Sequence, residues 1–264
     1  MTRSSTSPIG IFDSGVGGLS VWREIRCLLP YEDTQYVADQ AHIPYGPRPV
    51  TEIRDFSQGI TMFLIDQRCK AIVIACNTAS GAALHTLRKQ FPHIPFIGME
   101  PAVKPAAEHT RTGVIGVIAT PTTFQGELFR NLVSRFGMDV QIHTQTCPGL
   151  VEIVESGESN SQQTEKTARN CIEPLLKHNI DQLVLGCTHY PFLSRTIKRI
   201  IGPEINLIDP SPAIARQVKR ILRANKTINT QNNPGHHTFY TSSSSTTNLR
   251  TFIETYTTLP HPHI

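Results

Sequence analysis

The sequence predicts an α/β protein of two similar lobes. Both are doubly wound around mainly parallel sheets, related by a pseudo-twofold, and meet at a cleft that would hold the active site. Three observations predict it. Continuous apolar runs stop abruptly at small polar residues and give way to helical patterns, as parallel strands covered on both faces do. The strand-end motifs of the first half recur in the same order in the second. And 264 residues approach the length of two domains of ~150 residues each.

The elements follow in order. Ile9-Gly10-Ile11-Phe12 reads as a strand that breaks at Asp13-Ser14-Gly15-Val16-Gly17-Gly18. Leu19, Trp22, Ile25 and Leu29 then mark one face of a helix that ends at Pro30. A second helix around Asp55 to Arg68 leads to the strand Ala71-Ile72-Val73-Ile74-Ala75, which stops at Cys76-Asn77-Thr78-Ala79-Ser80 before another helix. Ile115-Gly116-Val117-Ile118-Ala119-Thr120 repeats the first strand and its end. Val184-Leu185-Gly186-Cys187-Thr188-His189 repeats Val73 to Thr78, with a cysteine at the strand end in both copies. Cys171 falls on a helical stripe with Ala168, Ile172 and Leu175. A polar, linker-like stretch from Asn225 to His237 precedes a late strand at Thr238-Phe239-Tyr240, a loop over Ser242 to Thr247, and a last helix carrying Leu249, Phe252, Ile253 and Tyr256. The tail is expected to return to the first lobe, which would comprise residues 1–97 and 210–264, with 98–209 forming the second.

Composition narrows the class. Hydrophobic residues make up 39% and charged residues 17%, ordinary for a globular chain. No apolar stretch reaches the ~18–20 residues of a membrane span, and the first residues leave no room for a signal peptide's apolar core. The net charge of +4 comes from scattered basic residues, and a single Trp offers no stacking series, so neither a membrane nor a nucleic acid is an expected partner. The six cysteines show no disulfide framework and are expected to be reduced in a cytoplasm. Cys27, Cys69 and Cys171 read as core residues and Cys147 as an inert loop thiol.

Ligands of open parallel sheets bind outside the carboxyl ends of the strands. Cys76 and Cys187 stand at such ends, so facing lobes would bring both thiols to one cleft. Each precedes a helix, with Thr78 or Ser80 as a candidate cap after Cys76 and Pro191 suited to a first turn after Cys187. The helix dipole is expected to favour the thiolate. One base and one acid on opposite faces of a carbon is what stereoinversion requires. Zinc on Cys76, Cys187 and His189 is a competing reading, but no paired metal-ligand spacing supports it. A Cys187–His189 acyl-transfer hydrolase is another, and it needs only one thiol. The Gly15–Gly18 turn lacks the third glycine of a dinucleotide loop and a Walker lysine, yet its amides suit a small carboxylate.

Five segments carry a resemblance: Phe12-Asp13-Ser14-Gly15-Val16-Gly17-Gly18-Leu19, Pro44-Tyr45-Gly46-Pro47-Arg48, Ala75-Cys76-Asn77-Thr78-Ala79-Ser80, Gly186-Cys187-Thr188-His189-Tyr190-Pro191, and Ile208-Asp209-Pro210-Ser211. The chain resembles the bacterial glutamate racemases of the cofactor-independent aspartate/glutamate racemase superfamily from about Ile9 to Arg223. The resemblance implies interconversion of L- and D-glutamate for peptidoglycan without pyridoxal phosphate or metal, in a bacterial cytoplasm and as a homodimer. Racemisation of aspartate or another amino acid is the nearest alternative. By the resemblance, Cys76 takes the proton from D-glutamate and Cys187 from L-glutamate, with Asp13, His189 and Glu155 as auxiliary acid-base residues. Ser14, Tyr45, Gly46, Asn77, Thr78 and Thr188 would hold substrate with Asp13 and His189, and Thr120 and Thr123 would join them. Asp13 would meet the α-ammonium. The chain departs from the family pattern at Glu152, where Pro is frequent, and in the Ser242–Ser245 run. The segment before Ile9 is shorter than in members regulated by a peptidoglycan precursor, so that regulation is not expected.

Overall fold

The computed structural model describes residues 4–137 and 140–258, the side chains through residue 255. The first sheet is built from β1 (Ile9–Asp13), β2 (Thr34–Ala38), β3 (Ala71–Ile74) and β4 (Phe96–Gly98), the second from β5 (Val114–Ala119), β6 (Gln141–Thr146), β7 (Gln182–Gly186) and β8 (Asn206–Ile208). A late strand, β9 (His237–Thr241), joins the first. Spatial order is β4-β3-β1-β2-β9 in one sheet and β8-β7-β5-β6 in the other, and every pairing is parallel. The first four strands of each sheet therefore share one order. The repeated sequence motifs occupy the same places in it, β1 beside β3 and β5 beside β7.

Helices α1 (Leu19–Leu28), α2 (Val50–Asp66), α3 (Asn77–Gln90) and α4 (Val103–His109) connect the strands of the first half. The second half contains α5 (Pro121–Gln125), α6 (Glu127–Phe136), α7 (Leu150–Glu155), α8 (Gln162–Leu176), α9 (Ser194–Ile201), α10 (Ser211–Ala224) and α11 (Thr247–Thr258). A short 3-10 turn, Tyr190–Leu193, precedes α9 and carries Pro191 in its first turn. Strands β1, β3 and β7 are buried along their whole length, as strands covered on both faces must be. Leu19, Trp22 and Ile25 of α1 are buried in a core that also takes Ile214, Val218 and Leu222 of α10.

Several elements differ from the sequence reading. α2 begins five residues before Asp55, directly after Pro49, because proline's fixed φ and missing donor fit a helix start. Strands β2, β4, β6 and β8 carry no strong pattern of their own. β4 and β8 have three residues each, and β6 reads Gln-Ile-His-Thr-Gln-Thr, half-exposed at a sheet edge. β4, β6 and β8 are edge strands, which face water on one side and need no continuous apolar run, whereas β2 lies between β1 and β9. β9 pairs with β2 from Thr34↔His237 to Ala38↔Thr241, so the tail does return to the first sheet. Cys27 is exposed on α1 rather than in the core, while Cys69 is buried.

Candidate active site

The carboxyl ends of both sheets open on one cavity of about 400 Å³. Its wall includes Ser14, Tyr45, Gly46, Cys76, Asn77, Thr78, Thr120, Cys187, Thr188 and His189. Cys76 follows β3 and Cys187 follows β7, so one thiol comes from each sheet. The two are 4% and 7% exposed, which is enough to touch a ligand and little enough to exclude bulk water. Glu152, noted above only as a departure from a family pattern, also lies on the wall.

Local structure fixes each thiol differently. Cys76 caps α3 itself, its Sγ accepting from the Ala79 amide at 3.4 Å. The sequence suggested Thr78 or Ser80 for that cap, and neither serves. Ser80 instead donates to the Ile74 carbonyl and accepts from the Met99 amide. The cap does not give a thiolate here. Burial pushes Cys76 up, the charge on Asp13 raises it further, and the Ala79 amide opposes both without prevailing. The expected dipole effect is thus outweighed, since removing a charge from water costs more than one hydrogen-bonded amide returns.

Cys187 faces a relay. His189 Nδ1 stands 3.8 Å from Cys187 Sγ, and its Nε2 donates to Glu155 Oε1 at 2.7 Å. Burial pulls His189 down, but its hydrogen bonds to Cys187 and Glu155 prevail and hold it well above 6.5. Burial raises Glu155, and its hydrogen bond from His189 leads the interactions that bring it below 4.5. These signs define a stability window. Glu155 contributes fully above about pH 4.5 and its contribution is lost as pH falls through its lower folded value. His189 contributes fully below about pH 6.5 and is lost as pH rises through its higher folded value. The melting temperature of Glu155→Gln is therefore expected to fall furthest below that of the unsubstituted protein between about pH 4.5 and 6.5, and the gap to narrow on either side. Melting curves across pH check this; a gap that widens below pH 4 would contradict it.

Not every expected site residue reaches the wall. Asp13 is fully buried behind it, accepting from the Gly15 amide at 2.9 Å and from Thr188 Oγ1 at 3.1 Å, and burial holds its carboxyl above the usual range. Glu155 stands behind His189. Thr123 lies one layer back, joined to Thr120 and Thr78 by hydroxyl contacts of 2.9 and 3.3 Å, with Thr78 to Thr120 at 2.9 Å. Tyr45 donates to the buried Asp39 at 2.5 Å. The glycine turn does present an amide to a carboxylate, but to the protein's own: Val16 N donates to Glu155 Oε1 at 2.7 Å.

One cysteine expectation is corrected. Cys147, on the cavity wall, and Cys171, on α8, are joined as a disulfide with Cα atoms 5.4 Å apart. α8 packs along β6, which brings its buried stripe to the loop after that strand. Cys27, Cys76 and Cys187 are free thiols. Among the described residues no three His, Cys, Asp or Glu side chains gather as a metal site, and no helix is long and apolar enough to cross a membrane.

The side-chain amide of Asn77 completes the picture. Both its polar atoms are buried on the cavity wall with no hydrogen-bond partner among the described residues. Buried amides are nearly always paired, so an unpaired donor and acceptor beside a cavity suit a polar ligand.

Comparison with known proteins agrees with this geometry. The model of the Asp/Glu/Hydantoin racemase family matches residues 18–218. A glutamate racemase of Ectopseudomonas mendocina is 48% identical over 241 residues, 91% of each chain. A crystal structure of a Bacillus anthracis glutamate racemase isoform superposes with a TM-score of 0.86 at 34% identity, covering 98% of this chain and 96% of that one. A Francisella tularensis glutamate racemase in complex with D-glutamate gives 0.84 at 32%, with the same coverage. Two sheets of one strand order, a thiol from each at a shared cavity, and these matches lead to one assignment: the chain belongs to the Asp/Glu/Hydantoin racemase family, among the glutamate racemases.

Proposed function

We propose that the protein interconverts L- and D-glutamate by proton transfer between two thiols, in a bacterial cytoplasm and as a homodimer, supplying D-glutamate for peptidoglycan. Its lobes are taken as residues 1–97 with 210–264, and 98–209. The observation that carries the mechanism is the pair of sulfurs, one from each sheet, on a single cavity wall. From L-glutamate, Cys187 removes the α-proton and the Cys76 thiol delivers one to the opposite face. From D-glutamate the roles exchange. Burial keeps Cys76 protonated at rest, the state that the first direction needs. Mirror-image substrates suit chemically equal groups, and each must come within ~3 Å of its proton partner.

Among the described residues, none on the wall is Lys or Arg. Substrate carboxylates are then held by hydroxyls and amides, from Ser14, Asn77, Thr78, Thr120 and Thr188, by the backbone around Tyr45 and Gly46, and by the amino end of α3. Thr123 steadies Thr78 and Thr120 from behind. Asp13 acts on the Cys76 side through its charge and is tied to Thr188, the neighbour of Cys187, close to where the α-ammonium would lie. His189, held by Glu155, serves Cys187.

The Cys187–His189–Glu155 series also has the order of an acyl-transfer triad, and one experiment separates the readings. In deuterium oxide, L-glutamate is expected to yield D-glutamate carrying solvent deuterium at the α-carbon, read by chiral chromatography and mass spectrometry. Aspartate and other L-amino acids run alongside. Unlabelled product, or racemisation of aspartate in preference to glutamate, would overturn the proposal.

A further inference from the structure

Glu155 uses its two carboxylate oxygens differently. Oε1 takes both the His189 Nε2 and the Val16 amide at 2.7 Å. Oε2 accepts from Gln40 Nε2 at 3.1 Å, its one hydrogen bond among the described residues. Gln40 is itself oriented, because its Oε1 accepts from Thr241 Oγ1 at 3.0 Å. That hydroxyl sits at the last residue of β9, the strand that, among the described residues, the first sheet has and the second lacks. Ser242, next in the chain, accepts from the Ala41 amide at 3.0 Å and donates its own amide to Ala38. From α11, Asn248 Nδ2 donates to the Glu155 carbonyl at 2.8 Å. The carboxyl-terminal segment thus grips Glu155 at both its side chain and its backbone.

The terminal torsion of a glutamate is broad and unrestrictive. Two bonds on one oxygen leave the carboxylate free to swing about it, and a bond on the other oxygen fixes the plane. We propose that Gln40, set by Thr241, is a positioning residue for the relay serving Cys187, and that it acts through Glu155. The inference rests on the two-thiol reading above. It also gives the tail a role: β9 and α11 complete the support of the site from outside the family's repeated core.

The test uses Gln40→Met, which keeps length and removes both polar atoms, with Thr241→Val, Glu155→Gln and the Gln40→Met/Glu155→Gln double variant. Turnover is measured from each enantiomer, together with the primary isotope effect for glutamate deuterated at the α-carbon. Gln40→Met is expected to lower kcat about tenfold, the weight of one hydrogen bond to a charged group. Thr241→Val is expected to act in the same direction by less, and it reads the link should Gln40→Met fail to fold. The isotope effect should rise from L-glutamate, where Cys187 removes the labelled hydrogen, and fall from D-glutamate. A purely structural defect would move neither selectively. In the Glu155→Gln background, Gln40→Met should add nothing. Wild-type turnover by Gln40→Met, or an equal further loss in that background, would overturn the inference alone. Wild-type turnover by Glu155→Gln would instead overturn the relay on which it rests.

Discussion

Cys76→Ser and Cys187→Ser are each expected to lose racemisation by at least about 10³-fold, the upper range of what one acid-base group contributes. The reason is directional. With either sulfur gone, one face of the α-carbon still meets a thiol and the other meets an alcohol too weakly acidic to exchange protons near neutral pH. A carbanion formed on the intact side can then only be reprotonated from that side, and configuration is retained. The loss must appear from both enantiomers, since either reaction crosses both faces. The side chains are nearly equal in size and both are buried on the cavity wall, so melting temperatures should stay within a few degrees. Polarimetry from each enantiomer and a thermal melt decide the matter. A Cys76→Ser protein racemising at the unsubstituted rate would remove the second thiol from the mechanism.

The features legible in the sequence are those set by local chemistry. Buried parallel strands advertise themselves as apolar runs, so β1, β3, β5 and β7 could be read directly, and their ends carried Asp13, Cys76, Thr120 and Cys187. Duplication could be read because both cysteines sit at the same strand end. Long-range pairing left no such trace. Nothing around Gln40 announces that it meets Glu155, 115 residues away, and neither Cys147 nor Cys171 signals the other across 24 residues. The direction of the Cys76 shift was hidden for a related reason. The helix end can be seen in the sequence, but the burial that outweighs it and the charge of Asp13 arise only when β1 and β3 lie side by side. The glycine turn was ambiguous because its partner is not a ligand but Glu155, supplied by the other half of the chain.

That turn supports the second large prediction, for Gly17→Ala. Gly17 needs no special backbone conformation, so the cost is one of contact. A Cβ added there would stand 2.4 Å from His189 Nδ1, 2.6 Å from its Cε1 and 2.8 Å from Thr188 Oγ1. Separations under 3 Å force movement, and His189 has little room for it. The ring is 2% exposed and tied to Glu155 on its far side, and Glu155 is tied to Val16, the neighbour of Gly17. The side chain that must give way is therefore the one whose Nδ1 faces Cys187. A shift of about 1 Å at such a group costs ~10²-fold in rate, and kcat for Gly17→Ala is expected to fall by about that factor from both enantiomers. Gly59→Ala on the exposed face of α2, where an added Cβ meets nothing within 4 Å, is the matched control. It should leave turnover unchanged and raise the melting temperature slightly, because alanine stabilises a helix interior by roughly 0.5–1 kcal/mol over glycine. Unimpaired turnover by Gly17→Ala would mean that the relay tolerates displacement of His189, and Cys187 would then have to exchange its proton without the imidazole.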